Sequence, residues 1–242
     1  MPSKKTQKIT TTYEAPEKID AQDPFYGFIL DEEQIDFVNA LLNKDSQLVI
    51  VDACAGCGKT TLSFATANLL VQGGKFDKIV YVRSVTNTDV MGFLPGTLEE
   101  KTNVYFAPAY QAIEEIGLNP MQVICSDENA KIGEAFIELT TDTFLRGTNL
   151  SKSVIIIDEA QNYTALQLKT VLTRVHDDCL VILIGDTKQC DLRDKQSSGF
   201  TPYKHYAKRT IEANVEKPNI KVCHLTHNYR GDISRWAEDL FV

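Results

Sequence analysis

The sequence predicts an α/β protein in which a mostly parallel sheet is flanked by helices. Short apolar runs of strand length alternate along the chain with segments whose apolar residues recur at helical spacing. Three of these runs, which end near Val51, Ile157 and Ile184, lead directly into small or polar residues. Because ligands of parallel sheets bind at the carboxyl ends of the strands, these ends predict one shared site.

Composition places the chain among folded proteins of a reducing compartment. Its 242 residues are 43% hydrophobic and 24% charged, with no apolar run long enough to cross a membrane and no apolar signal segment. The six cysteines are therefore expected to be reduced thiols, and the protein to be cytoplasmic with no membrane partner. A net charge of −8 argues against a surface coated with nucleic acid but permits a local basic channel.

The chain is predicted to consist of a short polar arm and one domain. Residues 1–22 carry Lys4, Lys5 and Lys8 without a periodic apolar pattern, which predicts a flexible N-terminal arm. Residues 23–242 have the length and apolar content of a single domain with one sizeable core.

The first helix is predicted to begin after Asp31, whose side chain suits an N-cap. Apolar residues at positions 35, 37–38 and 41–42 recur at helical spacing. Gln34 lies in the first turn of this helix. Its amide offers both a donor and an acceptor, which suits the edge of an adenine ring, although such a residue also fits an ordinary helix surface.

A phosphate-binding loop is predicted directly after the strand at 48–51. The stretch VIVDACAGCGKTT places small residues between an apolar strand and a helical pattern that continues through Leu62 and Leu69. Backbone N–H groups of such a loop, together with the positive end of the helix, bind phosphate. The predicted nucleotide-binding residues of the loop are Ala55, Gly56, Cys57, Gly58, Lys59, Thr60 and Thr61.

Two side chains of this loop have separate predicted roles. Lys59 is placed to reach the β- and γ-phosphates, and the Thr60 hydroxyl is placed to ligate magnesium. The usual pattern begins with glycine where this chain has Ala53. Since alanine tolerates a positive φ poorly, either the turn uses a negative φ there or the loop is slightly strained.

Two further strand ends carry polar residues that suit hydrolysis of a nucleotide. The strand at 153–157 leads into Asp158, which would hold magnesium, and Glu159, which can act as general base toward the attacking water. The strand at 180–184 leads into GDTKQ, where Gln189 is placed to contact the γ-phosphate. Either end could be an ordinary polar turn, but the phosphate loop upstream favours the functional interpretation.

The remaining elements are predicted from the same patterns. Strands are expected at Lys78–Arg83, near 121–124, near 136–140 and at Ile220–Leu225. Helices are expected at 104–116, 164–174 and 202–213, with a short helix around Arg235 and Trp236. The stretch MGFLPGTLEEK, residues 91–101, is predicted to be an irregular loop.

Cys54 and Cys57 form a CxxC motif inside the phosphate loop. A metal site is discounted because the other four cysteines include no matching CxxC. Two interpretations remain, small packing residues in a crowded loop or redox-sensitive thiols. A thiol near a helix N-terminus and beside Lys59 should have a lowered pKa, so the second interpretation predicts reversible inhibition by mild peroxide.

With these motifs in place, the sequence resembles the PhoH-like ATPases, which are relatives of superfamily 1 helicases. The resemblance covers about residues 28–240 and rests on the blocks AGCGKTT, GFLPGTLEEK, FLRGT, VIIIDEAQN and GDTKQCDL. It implies a RecA-like P-loop NTPase core in which the glutamate strand is inserted between the phosphate-loop strand and its usual neighbour. It also implies ATP and Mg²⁺, with roles for Lys59, Thr60, Asp158, Glu159 and Gln189.

The resemblance further implies an arginine that contacts the γ-phosphate. LTHNYRG resembles the NYR motif of superfamily 1 helicases and favours Arg230, while DISRW resembles the PhoH arginine segment and makes Arg235 a competitor. Because one RecA-like unit is expected, a ring-like homo-oligomer is predicted in which this arginine acts across the interface.

Action on RNA or single-stranded DNA is also suggested by the resemblance. Arg83, Phe93 and Arg146 could line a nucleic-acid path, although Phe93 equally fits the core and the arginines equally fit ion pairs. The alternative function is an ATP-dependent sensor or scaffold without nucleic-acid activity. A P-loop kinase is disfavoured, because Glu159 and the GDTKQ block suit activation of a water, which a kinase does not need.

Overall fold

The computed structural model describes residues 14–84, 105–125, 135–145 and 148–238. These residues form a six-stranded sheet in which every strand pair is parallel. The strands are β1 (Leu48–Ala53), β2 (Lys78–Arg83), β3 (Ile137–Thr141), β4 (Ser153–Asp158), β5 (Leu180–Gly185) and β6 (Ile220–Leu225). The predicted α/β class with a parallel sheet is therefore confirmed.

The strand order is β3-β2-β4-β5-β1-β6. Strand β1 lies between β5 and β6, so Asp52 pairs with both Gly185 and His224. The glutamate strand β4 does not pair with β1, because β5 separates them. The expected position of the glutamate strand is therefore wrong, and the inserted strand is β5. Both strands are buried along their whole length, so their apolar runs could not indicate which of them lies beside β1.

Helices cover both faces of the sheet. They are α1 (Glu32–Leu42), α2 (Lys59–Gln72), α3 (Ala107–Glu115), α4 (Pro120–Val123), α5 (Ala165–Leu172), α6 (Phe200–Glu212) and α7 (Asp232–Glu238). Helix α1 begins as predicted, because Asp31 and Gln34 form a reciprocal capping box. Helix α2 begins directly at Lys59, after Gly58 in the left-handed conformation.

The segment predicted as a strand near 121–124 is instead the short helix α4. Its N-cap Asn119 accepts a hydrogen bond from the backbone N–H of Met121, and Pro120 occupies the first helical position. These two helix-start signals outweigh the apolar residues that follow. Ile124 forms an isolated bridge to Ile137 of β3, the strand that was predicted near 136–140.

The core consists of two apolar layers, one on each face of the sheet. Alternate residues of a strand point to opposite faces, so Val49 and Val51 pack in one layer and Ile50 in the other. The first layer lies under α1, α2 and α3, and the second lies under α5 and α6. This arrangement leaves the carboxyl ends of the strands open between the layers.

The structure describes residues 14–22 of the predicted N-terminal arm. Ile19 is buried, and its backbone N–H and C=O bond to the side chain of Asn39 on α1, at 2.8 and 2.9 Å. The division of the chain at residue 22 remains a prediction. The 91–101 loop with Phe93, and Arg146 of the FLRGT block, lie outside the described residues. No helix among the described residues has the length and apolar character needed to span a membrane.

Candidate functional site

A pocket of about 580 Å³ opens at the carboxyl ends of β1 and β4. It is bordered by the segment before α1, by α3 and by the loop after β1. The predicted site residues that line it are Gln34, Ala55, Gly56, Gly58, Lys59, Thr60, Thr61, Asp158, Glu159, Gln189 and Arg230. Cys57 and Arg235 do not line it. The fold thus brings together residues from widely separated segments at the predicted end of the sheet.

The phosphate loop adopts its turn without strain at its first position. Ala53 is the last residue of β1, pairs with Leu225 and is not among the residues with a positive φ. Gly56 and Gly58 supply the left-handed turns instead, with φ values of 67° and 81°. Of the two alternatives for Ala53, the turn with negative φ is therefore the one observed.

Gly56 also allows a second segment to approach the loop. A Cβ atom at this position would lie 2.6 Å from both Cγ of Arg230 and Oδ1 of Asn228. The backbone N–H of Tyr229 donates to the Gly56 carbonyl at 2.9 Å. The glycine therefore serves the packing of residues 228–230, a role that its place in the motif did not indicate.

Lys59 and Thr60 point toward two different parts of the pocket. The Lys59 Nζ donates to the carbonyl oxygens of Ala53 and Cys54, at 3.3 and 3.2 Å, so its charge is held over the loop. The Thr60 hydroxyl donates to Oδ2 of Asp158 at 3.1 Å. The two residues predicted to hold magnesium are thus in direct contact.

Asp158 is held rigidly at the end of β4. Its side chain is buried, and its Oδ2 also accepts a hydrogen bond from the Tyr81 hydroxyl at 2.7 Å. Burial and the negative charge of Asp158 raise the pKa of Tyr81, so this hydroxyl remains a proton donor. The other carboxylate oxygen, Oδ1, accepts from the backbone N–H of Glu159 at 2.9 Å.

Glu159 occupies a left-handed backbone conformation, with φ of 54° and ψ of 43°. Strain of this kind in a residue with a side chain is typical of functional sites. Its carboxylate accepts a hydrogen bond of 2.6 Å from Nε2 of Gln161, whose Oε1 in turn accepts from the backbone N–H of Asp186 at 3.0 Å. Gln161 therefore links the glutamate to the loop after β5. Sequence reasoning missed this role, although the residue belongs to the DEAQN block.

Burial raises the pKa of Glu159, and the negative charge of Asp158 raises it further. The positive charge of Lys59, the hydrogen bond from Gln161 and the charge of Arg83 act in the opposite direction without cancelling the rise. A carboxylate with a raised pKa beside a phosphate loop is suited to accept a proton from water.

Gln34 lines the pocket, and both ends of its amide are already bonded. Its Oε1 accepts from the backbone N–H of Asp31 at 3.1 Å, and its Nε2 donates to the Cys57 carbonyl at 3.0 Å. The side chain thus joins the start of α1 to the phosphate loop. Contact between this amide and an adenine ring remains a prediction.

The predicted lowering of the thiol pKa is wrong for Cys57. This residue is only 1% exposed, and burial raises the pKa of its thiol by more than the neighbouring Lys59 lowers it. A buried thiol with a raised pKa is a poor nucleophile toward peroxide. The interpretation of Cys57 as a small packing residue therefore holds. All six cysteines lie within the described residues, and none of them forms a disulfide bond.

The two candidate arginines have different surroundings. Arg230 lines the pocket of its own chain, whereas Arg235 bonds to the Asn228 carbonyl and to Asp232. Since Arg230 is already at the pocket, a second subunit is not needed to bring it there. Arg83, predicted to line a nucleic-acid path, instead donates to the Tyr105 carbonyl at 2.8 Å and lies over its ring.

The donor groups of the pocket suit Mg²⁺, which phosphates and waters help to coordinate. They do not suit a metal ion that is held by protein side chains alone. No cluster of three His, Cys, Asp or Glu side chains able to hold a metal occurs within the described ranges. One carboxylate and one hydroxyl are the kind of donor set that Mg²⁺ uses when phosphates and waters complete its shell. Thr60 and Asp158 provide this set.

Comparison with known proteins identifies similar chains. A profile of the family described as "PhoH-like protein" matches residues 29–240. Protein PhoH of Escherichia coli strain K12 is 37% identical over 172 residues, which are 70% of this chain and 47% of that protein. The PhoH-like protein of Bacillus subtilis strain 168 is 34% identical over 177 residues, 72% of this chain and 53% of that protein. The chain thus spans about half the length of these curated relatives.

Two solved structures are also similar in fold. The UvsW helicase of bacteriophage T4 has a TM-score of 0.47 at 12% identity, over 80% of this chain and 59% of that one. The SWI2/SNF2 ATPase core of Sulfolobus solfataricus, in complex with dsDNA, has a TM-score of 0.46 at 17% identity, over 85% of this chain and 47% of that one.

Proposed function

Since the chain belongs to the PhoH-like protein family, we propose that it binds ATP with Mg²⁺ and hydrolyses the bond to the γ-phosphate. The observation that carries this proposal is the 3.1 Å contact between the Thr60 hydroxyl and the Asp158 carboxylate in the pocket. A loop hydroxyl and a strand-end carboxylate are the protein groups that hold magnesium in P-loop enzymes.

Four further residues of the pocket have roles in the proposed reaction. Magnesium, when bound, offsets negative charge on the phosphates. Lys59 and Arg230 contact the phosphates and stabilise the charge that develops on the γ-phosphate. Glu159 accepts a proton from the attacking water, and Gln189 orients that water against the γ-phosphate.

Purified protein is expected to hydrolyse ATP only when magnesium is present, and EDTA should abolish the activity. Lys59→Ala should weaken ATP binding as well as hydrolysis, because it removes a positive charge held over the phosphate loop. Phosphate release and calorimetric titration with ATP measure the two effects. Lys44→Ala, at an exposed lysine outside the pocket, is the matched control. Full hydrolysis in EDTA, or normal binding by Lys59→Ala, would contradict the proposal.

We further propose that hydrolysis is coupled to binding of RNA or single-stranded DNA. Charge distribution supports this coupling, because α6 and β6 carry three exposed Lys or Arg residues and one exposed Glu in a chain of net charge −8. The side chains of Lys208, Arg209, Lys221 and His224 are exposed there. Partial burial of the His224 ring lowers its pKa, and the positive charge of Lys208 lowers it further, as expected where positive charges are concentrated.

Single-stranded nucleic acid is expected to raise the ATPase rate, and added salt should weaken the effect. With three phosphate contacts, affinity should fall about 20-fold between roughly 50 and 200 mM salt. Lys208→Glu combined with Arg209→Glu should reduce the stimulation and leave the rate without nucleic acid unchanged. The measurements are ATPase rates with RNA and DNA strands over a salt series, with Lys44→Glu as control.

The alternative, an ATP-dependent sensor or scaffold, makes the opposite prediction. In that case no strand would bind or stimulate hydrolysis at low salt, and the doubly substituted α6 variant would behave as the wild type. ATP would instead change the protein's affinity for a protein partner.

A further inference from the structure

Asp52, the penultimate residue of β1, makes an unusual set of contacts outside the pocket. Its Oδ1 accepts from the backbone N–H of Thr187 at 3.0 Å, and its Oδ2 accepts from the Thr187 hydroxyl at 3.0 Å. The Nζ of Lys204, on α6, forms an ion pair with the same Oδ2 at 2.5 Å. The Asp52 carboxylate thus binds the backbone N–H and the hydroxyl of Thr187 and also the charged Nζ of Lys204.

This ion pair is largely excluded from water. The side chains of Lys204 and Asp52 are 11% and 14% exposed. Burial raises the pKa of Asp52, but the hydrogen bonds from Lys204 and Thr187 outweigh it and hold the pKa below its ordinary value. Buried ion pairs contribute little net stability compared with apolar residues of similar size, so a gain in stability alone does not account for this arrangement.

The position of Asp52 connects three parts of the candidate site. Asp52 pairs with Gly185 of β5 and with His224 of β6. Beyond Asp52, Gly185 and His224 the chain continues to the phosphate loop, to Gln189 and to Arg230, respectively. Thr187, which Asp52 binds, lies two residues before Gln189 in the loop after β5.

We propose that Asp52, neutralised by Lys204, is a positioning residue that holds the loop at 186–189 in place so that Gln189 faces the γ-phosphate. This inference rests on the proposed ATPase function. Asp52 is not among the residues that line the pocket, so it acts through Thr187 and Gln189. Gln161 holds this loop at Asp186, and Asp52 holds it at Thr187, next to the exposed residues Lys188 and Gln189.

The inference predicts a selective loss of γ-phosphate recognition. Asp52→Asn should lower kcat about 10- to 100-fold, as expected for a displaced catalytic group. It should also weaken binding of a non-hydrolysable ATP analogue while leaving ADP binding unchanged, because ADP has no γ-phosphate for Gln189 to contact. Thr187→Val removes a single hydrogen bond without leaving a buried charge unpaired, so it should show the same selective loss at about 3- to 10-fold.

A double-mutant cycle separates positioning from general stabilisation. If Asp52 acts through Gln189, Asp52→Asn should add little further loss to a Gln189→Ala variant. Glu138→Gln is the matched control, because it removes a strand carboxylate paired with Lys78 at 2.7 Å, remote from the pocket lining. That variant should keep wild-type kcat and the wild-type preference for the triphosphate.

The possible outcomes distinguish failure of this inference from failure of the proposed function. A wild-type protein that hydrolyses ATP, with Asp52→Asn and Thr187→Val both retaining kcat and the triphosphate preference, overturns the inference alone. Equal losses for ADP and the ATP analogue, or losses that multiply in the Gln189→Ala background, also overturn it. A wild-type protein that neither binds nor hydrolyses ATP overturns both. If Asp52→Asn does not fold, Thr187→Val carries the test.

Discussion

Glu159→Gln is expected to lower the rate of ATP hydrolysis by about 100-fold or more while leaving ATP binding intact. Glutamine has a similar shape and keeps the hydrogen-bonding partners within reach, but it cannot accept a proton from the attacking water. Single-turnover hydrolysis and equilibrium binding of ATP measure the two quantities. Glu212→Gln, at an exposed position on α6, serves as the control. Normal turnover by Glu159→Gln would show that another group is the base.

The pH dependence of hydrolysis provides an independent test of the same assignment. Burial and the charge of Asp158 raise the pKa of Glu159. Because a base works only when deprotonated, kcat/KM should fall as the pH drops through this raised pKa, above the ordinary range of glutamate. The residual activity of Glu159→Gln should lack this acidic limb. A limb that persists in the variant would belong to a different group.

Arg230→Ala is expected to lower kcat on the order of 10³-fold, the usual contribution of an arginine that stabilises charge on a transferring phosphate. The residue lines the pocket and packs against Gly56 through its Cγ. Arg235→Ala is the matched control, because that guanidinium bonds to the Asn228 carbonyl and to Asp232 instead. The kcat values of Arg230→Ala and Arg235→Ala, measured by steady-state kinetics, should differ by most of this roughly 10³-fold factor.

Mixing two inactive variants tests where Arg230 acts. Because Arg230 lies at the pocket of its own chain, a mixture of Lys59→Ala and Arg230→Ala proteins is expected to remain inactive. In each chain of that mixture, either the lysine or the arginine of the pocket is missing. Recovery of activity would instead place Arg230 across a subunit interface and support the predicted ring-like oligomer.

Local signals made much of the fold predictable from the sequence. Strands β1, β4 and β5 were apparent because each apolar run ends in small or polar residues, and the cap at Asp31 indicated the start of α1. Strand order was not predictable in the same way. Both β4 and β5 are buried along their length, and nothing in either run specifies its neighbour.

The candidate site was predictable where its residues are contiguous in a motif. Residues 55–56 and 58–61 and the pair Asp158 and Glu159 were found in this way, whereas Cys57 belongs to the motif but does not line the pocket. The contacts of Asp52 with Thr187 and Lys204 join positions 135 and 152 residues apart, and no local pattern records such pairs. Gln161 was missed for a related reason, because its partner Asp186 belongs to a different strand end.

The contact between Gly56 and Tyr229 has a consequence for synthesis on the ribosome. The phosphate loop is translated before its partners, because its Gly56 carbonyl and the β1 edge bind residues of β6 and the segment after it. At translation rates of about 5–20 residues per second, roughly 9 to 35 s pass between the synthesis of Gly56 and the synthesis of Tyr229. Closing so long a segment also gives the β1–β6 pair a high contact order, which slows folding. The nascent chain therefore acquires its nucleotide pocket only after β6 and Tyr229 have been translated.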